Sequence, residues 1–219
     1  MIVPKMYGAG FAAILSDLDG VLIDSAAVVE HTWRTWAERH GLDADAIVPT
    51  VHGRPGAELV AELAPHLDVA EEMVWLEEFE IEAANRVRAF RGAAEALAQA
   101  PVAIVTSCTE PLARARLRAT GLPVPDVLVT ADRVPRGKPA PDPYLIAARE
   151  LGVDPARCAV LEDAPAGIAA GKAAGATVFA IASTHDPAEL AQADSVHADL
   201  PAALRYMIPI SELSPTMKR

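Results

Sequence analysis

The chain reads as an α/β protein: a doubly wound parallel sheet with an all-helical segment inserted after its first strand. Three observations predict this. From residue 101 onward, short apolar runs alternate with helical stretches, the mark of parallel βαβ units. A further apolar run, Phe11 to Leu15, stands far upstream of those units. Between them, residues 25–88 are helical in periodicity or loop, so the first strand must rejoin the sheet across an insertion.

The elements follow in order. Residues 12–17 read as a buried strand. A helix follows, from the capping pair Asp24 and Ser25 to Gly41, with Val29, Trp33 and Trp36 on one face. Segments 56–64 and 69–88 are also predicted helical, and Met73, Leu76 and Phe79 share an apolar stripe. Glu77, Glu78, Glu80 and Glu82 read as a solvated helix face, and Trp33 and Trp36 as core of the helical block. Strands are then expected at 101–106, 127–130, 159–161 and 176–182. The helices between them run over 110–120, 141–151 and 165–174, closing at Gly121, Gly152 and Gly175. Gly167, Gly171 and Gly175 predict that the last of these helices packs closely on the sheet. Residues 211–219 are expected to be a loose tail. The expected division is a core of residues 1–24 and 89–219, and a helical cap of 25–88.

Composition narrows the function classes. A chain of 219 residues buries one sizeable core, or a core and a small second domain. With 52% hydrophobic and 22% charged residues it is globular rather than disordered. A net charge of −11 argues against an extended nucleic-acid surface. It leaves room for a small phosphorylated ligand, because a metal and a few local cations can dominate one pocket. No stretch is long and apolar enough to span a bilayer, and no secretory signal is apparent. Cys108 and Cys158 have no metal-type spacing. The expectation is a cytoplasmic protein, monomeric or dimeric, without membrane or nucleic-acid partners.

Ligands of an open parallel sheet bind beyond the carboxyl ends of its strands. Four segments fall there: Asp17 and Asp19, then Thr106 and Ser107, then Lys138, then Glu162 and Asp163. A phosphate monoester needs charge neutralised on its phosphoryl oxygens and a nucleophile held in line. Asp17 suits the nucleophile, giving an aspartyl-phosphate that water cleaves. Asp19 suits the acid and base that protonates the leaving group and then activates the water. Two anions approach each other only with a cation between them. Mg²⁺ takes oxygen ligands, here the carboxylates of Asp17 and Asp163 and the backbone carbonyl of Asp19. Lys138 supplies a fixed positive charge, and Thr106 with the amides after it can cradle phosphate. Each segment alone has a plainer explanation: a solvated turn, a strand end, a surface lysine, a helix cap. All four in order at successive sheet edges outweigh those explanations together.

With these residues in place the chain resembles the haloacid dehalogenase-like superfamily over nearly its whole length. The matching stretches are SDLDGVLIDS, IVTSCTEPLARARL, RGKPAPDPYL and LEDAPAGIAAGKAAG. The resemblance implies a Rossmann-like core with a helical cap. Within it the chain is similar to bacterial sugar and hexitol phosphatases and to yeast 2-deoxyglucose-6-phosphate and glycerol-3-phosphate phosphatases. The stretches VEHTWRTWAERHGL, HGRPGAEL and VTADRVPRGKP carry that likeness. It implies Asp17 as nucleophile, Asp19 as acid and base, Thr106 and Lys138 on phosphate, Asp163 on Mg²⁺ and Glu162 outside it. Two positions depart from the family pattern. Ser16 stands where an aromatic residue is frequent, and Cys108 where a glycine is.

Asp19 argues against dehalogenation, since dehalogenases lack this second aspartate. A histidine ten residues after it would imply the β-phosphoglucomutase type, and that position is Val29, with His31 two residues beyond. Hydrolysis of a small sugar or polyol phosphate is the expectation. The rivals are a phosphosugar mutase and a non-catalytic phospho-ligand sensor. Arg54 and His52, in a loop that Gly53 and Gly56 let approach the core, are expected either to hydrogen-bond substrate hydroxyls or, for Arg54, to pair with Glu58.

Overall fold

The computed structural model of the chain describes residues 10–51, 54–99 and 101–207. Its elements are β1 (Ala13–Ser16), β2 (Ile23–Asp24), α1 (Ala26–Arg39), α2 (Ala44–Ile47), α3 (Gly56–Leu63), α4 (Val69–Glu82), β3 (Arg88–Ala89) and α5 (Ala93–Leu97). There follow β4 (Val102–Val105), α6 (Glu110–Thr120), β5 (Val127–Val129), α7 (Asp142–Leu151), β6 (Cys158–Glu162), α8 (Pro165–Ala173), β7 (Thr177–Ile181), β8 (Ser195–His197) and α9 (Leu200–Met207). Six strands form one sheet in the order β5-β4-β1-β6-β7-β8. Every pairing in it is parallel. This is the predicted doubly wound α/β architecture, with a Rossmann-like core.

β1 lies between β4 and β6 with all four residues buried. A strand covered on both faces reads as a continuous apolar run rather than an alternating one. Ile14 belongs to the apolar layer that includes Leu117, Phe179 and Leu204. Its neighbour Leu15 belongs to the opposite layer, with Tyr144, Val160 and Ile168. Successive side chains of a strand point to opposite faces, so one short strand anchors both layers. From β1 the chain moves outward through β4 and β5, then returns to β6 on the other side. That reversal opens a crevice at the carboxyl end of β1.

Helices α1 to α4 build a separate apolar cluster around Trp33, Trp36, Leu59, Val60 and Leu76. Trp36 is fully buried and its indole N–H donates to Glu72 Oε2 at 2.8 Å. The two tryptophans are core residues of this block, as predicted. Gly171 likewise packs α8 on the sheet, since a Cβ there would press on Val178 and Val160.

The structure departs from the expected elements in several places. The helix expected over 69–88 ends at Glu82, a 3₁₀ turn takes Ala83–Arg86, and Arg88–Ala89 pairs antiparallel with Ile23–Asp24. Strands of two residues are too short to leave a period in the sequence. The helices α2, α5 and α9 and the edge strand β8 were not expected. β8 is three residues long and partly exposed, so no apolar run marks it. Of the expected capping pair, Ser25 makes no side-chain capping bond at the start of α1, while Asp24 Oδ1 accepts from Ala26 N–H at 3.3 Å. The tail expected over 211–219 lies outside the described residues. No helix among them is long and apolar enough to cross a membrane.

Candidate active site

The site begins where β1 ends. Asp17 N–H donates to Leu161 O at 2.9 Å, which fixes its backbone against β6. Ser16, fully buried, donates its hydroxyl to Asp17 O at 2.7 Å. The chain then winds into a tight turn, in which Leu22 N–H and Ile23 N–H both donate to Leu18 O, at 2.9 and 3.0 Å. Gly20 in this turn has φ +76°, and a Cβ there would overlap the Asp163 carboxylate. Only glycine meets both the backbone angle and the close approach. The turn sends Asp17 and Asp19 to opposite flanks of one cavity.

On the first flank, Asp17 Oδ1 accepts from Lys138 Nζ at 2.8 Å. The same ammonium donates to Glu162 Oε1 at 2.6 Å and to Val105 O at 3.0 Å. Glu162 Oε1 also accepts from the Tyr144 hydroxyl at 2.7 Å. Its Oε2 accepts from the N–H groups of Asp163 and Ala164. Glu162 is thus spent on holding Lys138 and the turn before α8. Gly167 makes room for it, since a Cβ there would overlap its carboxylate. Asp163 accepts a hydrogen bond from the Thr184 hydroxyl.

Three carboxylates face one ammonium on this flank, all buried. Burial pushes the Asp17 pKa up to about 7; Lys138 opposes the shift, and the Glu162 charge adds to it. Burial and the charges of Glu162 and Asp17 also hold Asp163 well above the usual carboxylate range. Burial alone would lower the Lys138 pKa, yet the anions of Asp17 and Glu162 outweigh it and raise it. The flank is short of positive charge. Oxygens of Asp17, Glu162 and Asp163 lie within 4.8 Å of one another, a hard-donor set suited to a divalent cation.

On the second flank, Asp19 Oδ1 accepts from Arg116 Nη1 at 2.7 Å and from the Ser25 hydroxyl at 2.6 Å. Asp19 Oδ2 accepts from the Cys108 thiol at 3.1 Å. Burial first, and then the Asp19 charge, raise the Cys108 pKa, so the thiol keeps its proton and donates. Arg116 Nη2 donates to Glu80 Oε2 at 2.7 Å. Burial raises the pKa of Glu80; Arg116 opposes that shift. Glu77 accepts from Thr109. Two of the four glutamates read as a solvated face are therefore turned onto α6 and the loop before it. Glu78 and Glu82 are exposed as expected.

Thr106 is buried at the end of β4, and its Oγ1 accepts from Cys108 N–H at 3.0 Å, which leaves its own proton free to donate. Thr106, Ser107, Lys138, Glu162 and Asp163 line the same cavity as Asp17 and Asp19, a space of about 1000 Å³. Val29 lines it too, whereas His31 is exposed and lies against Phe79. Arg54 reaches the cavity wall, but its guanidinium pairs with Glu62 rather than the expected Glu58. Glu62 is two helical turns on, and the loop before α3 lets Arg54 fold back along the helix. His52 and Gly53 lie outside the described residues.

Arg116, Tyr144, Thr184, Ser25 and Glu80 are among the polar groups that sequence reasoning did not place here. A signal existed for two of them. Arg116 falls on the apolar stripe of Leu112, Ala113 and Leu117, and Tyr144 on that of Ala147 and Ala148.

The family model described as haloacid dehalogenase-like hydrolase matches residues 11–175. Over 190 residues, 83% of this chain and 88% of the other, the sequence is 43% identical to hexitol phosphatase A of Escherichia coli (strain K12). It is 35% identical to glycerol-1-phosphate phosphohydrolase 2 of Saccharomyces cerevisiae, over 80% of this chain and 76% of that one. The crystal structure of CbbY from Rhodobacter sphaeroides in complex with phosphate matches with a TM-score of 0.75 at 27% identity. It covers 89% of this chain and 96% of its own.

Proposed function

The chain belongs to the haloacid dehalogenase-like hydrolases, and from that premise we propose that it is a Mg²⁺-dependent phosphatase of small sugar or polyol phosphates. The observation that carries this reading is the division of the two carboxylates. Asp17 faces an ammonium and an acidic cluster, while Asp19 faces a separate set of neutral and cationic donors. A nucleophile and a proton-transfer group need different surroundings, and the two flanks provide them. The relatives named for hexitol and glycerol phosphates support the substrate class.

In the proposed mechanism Asp17 attacks phosphorus and becomes the aspartyl-phosphate. Lys138 holds the attacking carboxylate and offsets charge on the phosphoryl oxygens. Thr106 donates its hydroxyl to one of those oxygens, beside Ser107 at the loop leading to α6. Asp19 protonates the departing alkoxide, then takes a proton from the water that cleaves the aspartyl-phosphate. Asp17, Asp163 and the backbone carbonyl of Asp19 would hold Mg²⁺, and Glu162 stands behind them, holding Lys138. The metal, when bound, neutralises the negative charge that nucleophile and phosphate bring together.

The helical block, residues 25–88, is proposed as the cap that covers the leaving group and excludes water. Arg54 and His52 are its proposed contacts to substrate hydroxyls. Val29 supports hydrolysis over mutase transfer, because it brings no proton-transfer group to the cavity wall. Two free cysteines support a reducing, cytoplasmic setting.

The test is phosphate release from a panel of sugar and polyol phosphates with Mg²⁺, beside Asp17→Asn. Release by the wild type and none by the variant is expected. No release from any member would overturn the phosphatase reading, and turnover by Asp17→Asn would overturn the nucleophile.

A further inference from the structure

Arg116 is out of place for a residue that only packs. It lies on the apolar stripe of α6, where Leu112, Ala113 and Leu117 face the core, and its side chain is 3% exposed. Its neighbours Arg114 and Arg118 are exposed. Burying a guanidinium carries a large desolvation penalty, and an apolar residue of similar volume is often as stabilising. The charge therefore calls for a role beyond packing.

Its donors show where that role lies. Nη1 bridges Asp19 Oδ1 and Cys108 Sγ, at 2.7 and 3.0 Å. Nη2 reaches Glu80 Oε2 in α4 at 2.7 Å. Ser25, at the entry to α1, donates to the same Asp19 oxygen as Arg116. The Asp19 carboxylate is held from three directions: α6, the loop after β4, and the start of the helical block. A planar guanidinium reaches the two carboxylates through separate nitrogens of one rigid fork, whereas a lysine offers a single ammonium.

We propose that Arg116 is the positioning residue of the Asp19 carboxylate, and that Glu80 ties its position to the helical block. The inference rests on the phosphatase reading. The bonds of Arg116 go to Asp19, Cys108 and Glu80 and none to Asp17; it fixes the orientation from which Asp19 passes a proton to the leaving oxygen. Both ends of its fork are held only while α4 lies against α6. The orientation of the acid is thereby coupled to the seat of the cap.

The test compares two leaving groups. An alkoxide leaving from a hexitol phosphate needs the proton of Asp19, whereas p-nitrophenolate departs without one. Because kcat/KM reports the steps through leaving-group departure, the ratio of the two substrates isolates the acid step. Arg116→Met is expected to lower kcat/KM about 100-fold for the hexitol phosphate, but less than about threefold for p-nitrophenyl phosphate. Arg116→Lys, which keeps one charge and the fold if the methionine variant fails to fold, is expected to lose about tenfold on the hexitol phosphate alone. Equal losses on both substrates, or no loss on either, would refute the positioning role and leave the phosphatase reading standing. A wild type that releases phosphate from neither would remove that reading, and the positioning role with it.

Discussion

Lys138→Met removes the ammonium between Asp17 and Glu162 and keeps most of the side-chain volume. The lysine side chain is 7% exposed, and its carboxylate partners are 12% and 1% exposed. Deleting one partner of a buried ion pair costs about 3–5 kcal/mol, and the lost bond to Val105 O adds about 1 kcal/mol. Asp17 can recover part of this by protonating, since its pKa already stands at about 7. Glu162 keeps Tyr144 and two backbone amides. The expected net loss is about 3–4 kcal/mol, a fall in Tm of roughly 6–16 °C for a chain of this size. Thermal unfolding in EDTA reads it. Adding Glu162→Gln removes one of the stranded charges and should restore at least half of the loss. Phosphate release should stay down by about 10³-fold in both variants, because charge stabilisation at the phosphoryl group is gone. Activity within tenfold of wild type in Lys138→Met, or no recovery of Tm in the double variant, would overturn this role of Lys138.

Other outcomes follow from the same geometry. Asp17 is raised from 3.8 to about 7, so the folded state holds a proton that the unfolded state releases over that range. The Asp17 contribution to metal-free stability should be full below about pH 4 and fall by up to about 4 kcal/mol as pH rises through about 7. A Tm that follows pH identically in the wild type and Asp17→Asn would contradict it. Divalent-metal affinity, read by calorimetry, should rise at least about tenfold per pH unit below 7, because the metal displaces that proton and the one Asp163 retains. Gly167→Ala should cost about 1–3 kcal/mol and impair turnover, since its Cβ displaces the Glu162 carboxylate; a crystal structure with Glu162 unmoved would count against this. Arg54→Ala should change stability by less than about 1 kcal/mol, its pair with Glu62 being exposed. An unchanged KM for a polyol phosphate would remove Arg54 from substrate binding.

The sheet and its active rim were legible because each rests on a local signal. β1, β4, β5, β6 and β7 are apolar runs, and the polar residues at or just beyond β1, β4 and β6, with Lys138 after β5, line one cavity. What escaped depends on which surfaces meet. Glu80 sits among other glutamates on α4, and only the docking of α4 on α6 turns it toward Arg116. Ser25 precedes a helix and so looked like a cap; its hydroxyl instead goes to Asp19 across the turn. The two departures from the family pattern are accounted for by contacts. Ser16 donates to the backbone carbonyl of Asp17, and Cys108 donates to the Asp19 carboxylate. The strands β2, β3 and β8 are too short, and too little buried, to imprint a period.

In the proposed mechanism Asp17 carries the phosphoryl group while Asp19 moves protons. The most direct test mixes Asp19→Asn with p-nitrophenyl phosphate and Mg²⁺, quenches in acid, and maps the modified residue by mass spectrometry. This leaving group needs no acid, and the base for the second step is gone. Phosphate on Asp17 at near one equivalent per chain is predicted. Phosphate on another residue, or none while p-nitrophenol is released, would overturn that division of roles.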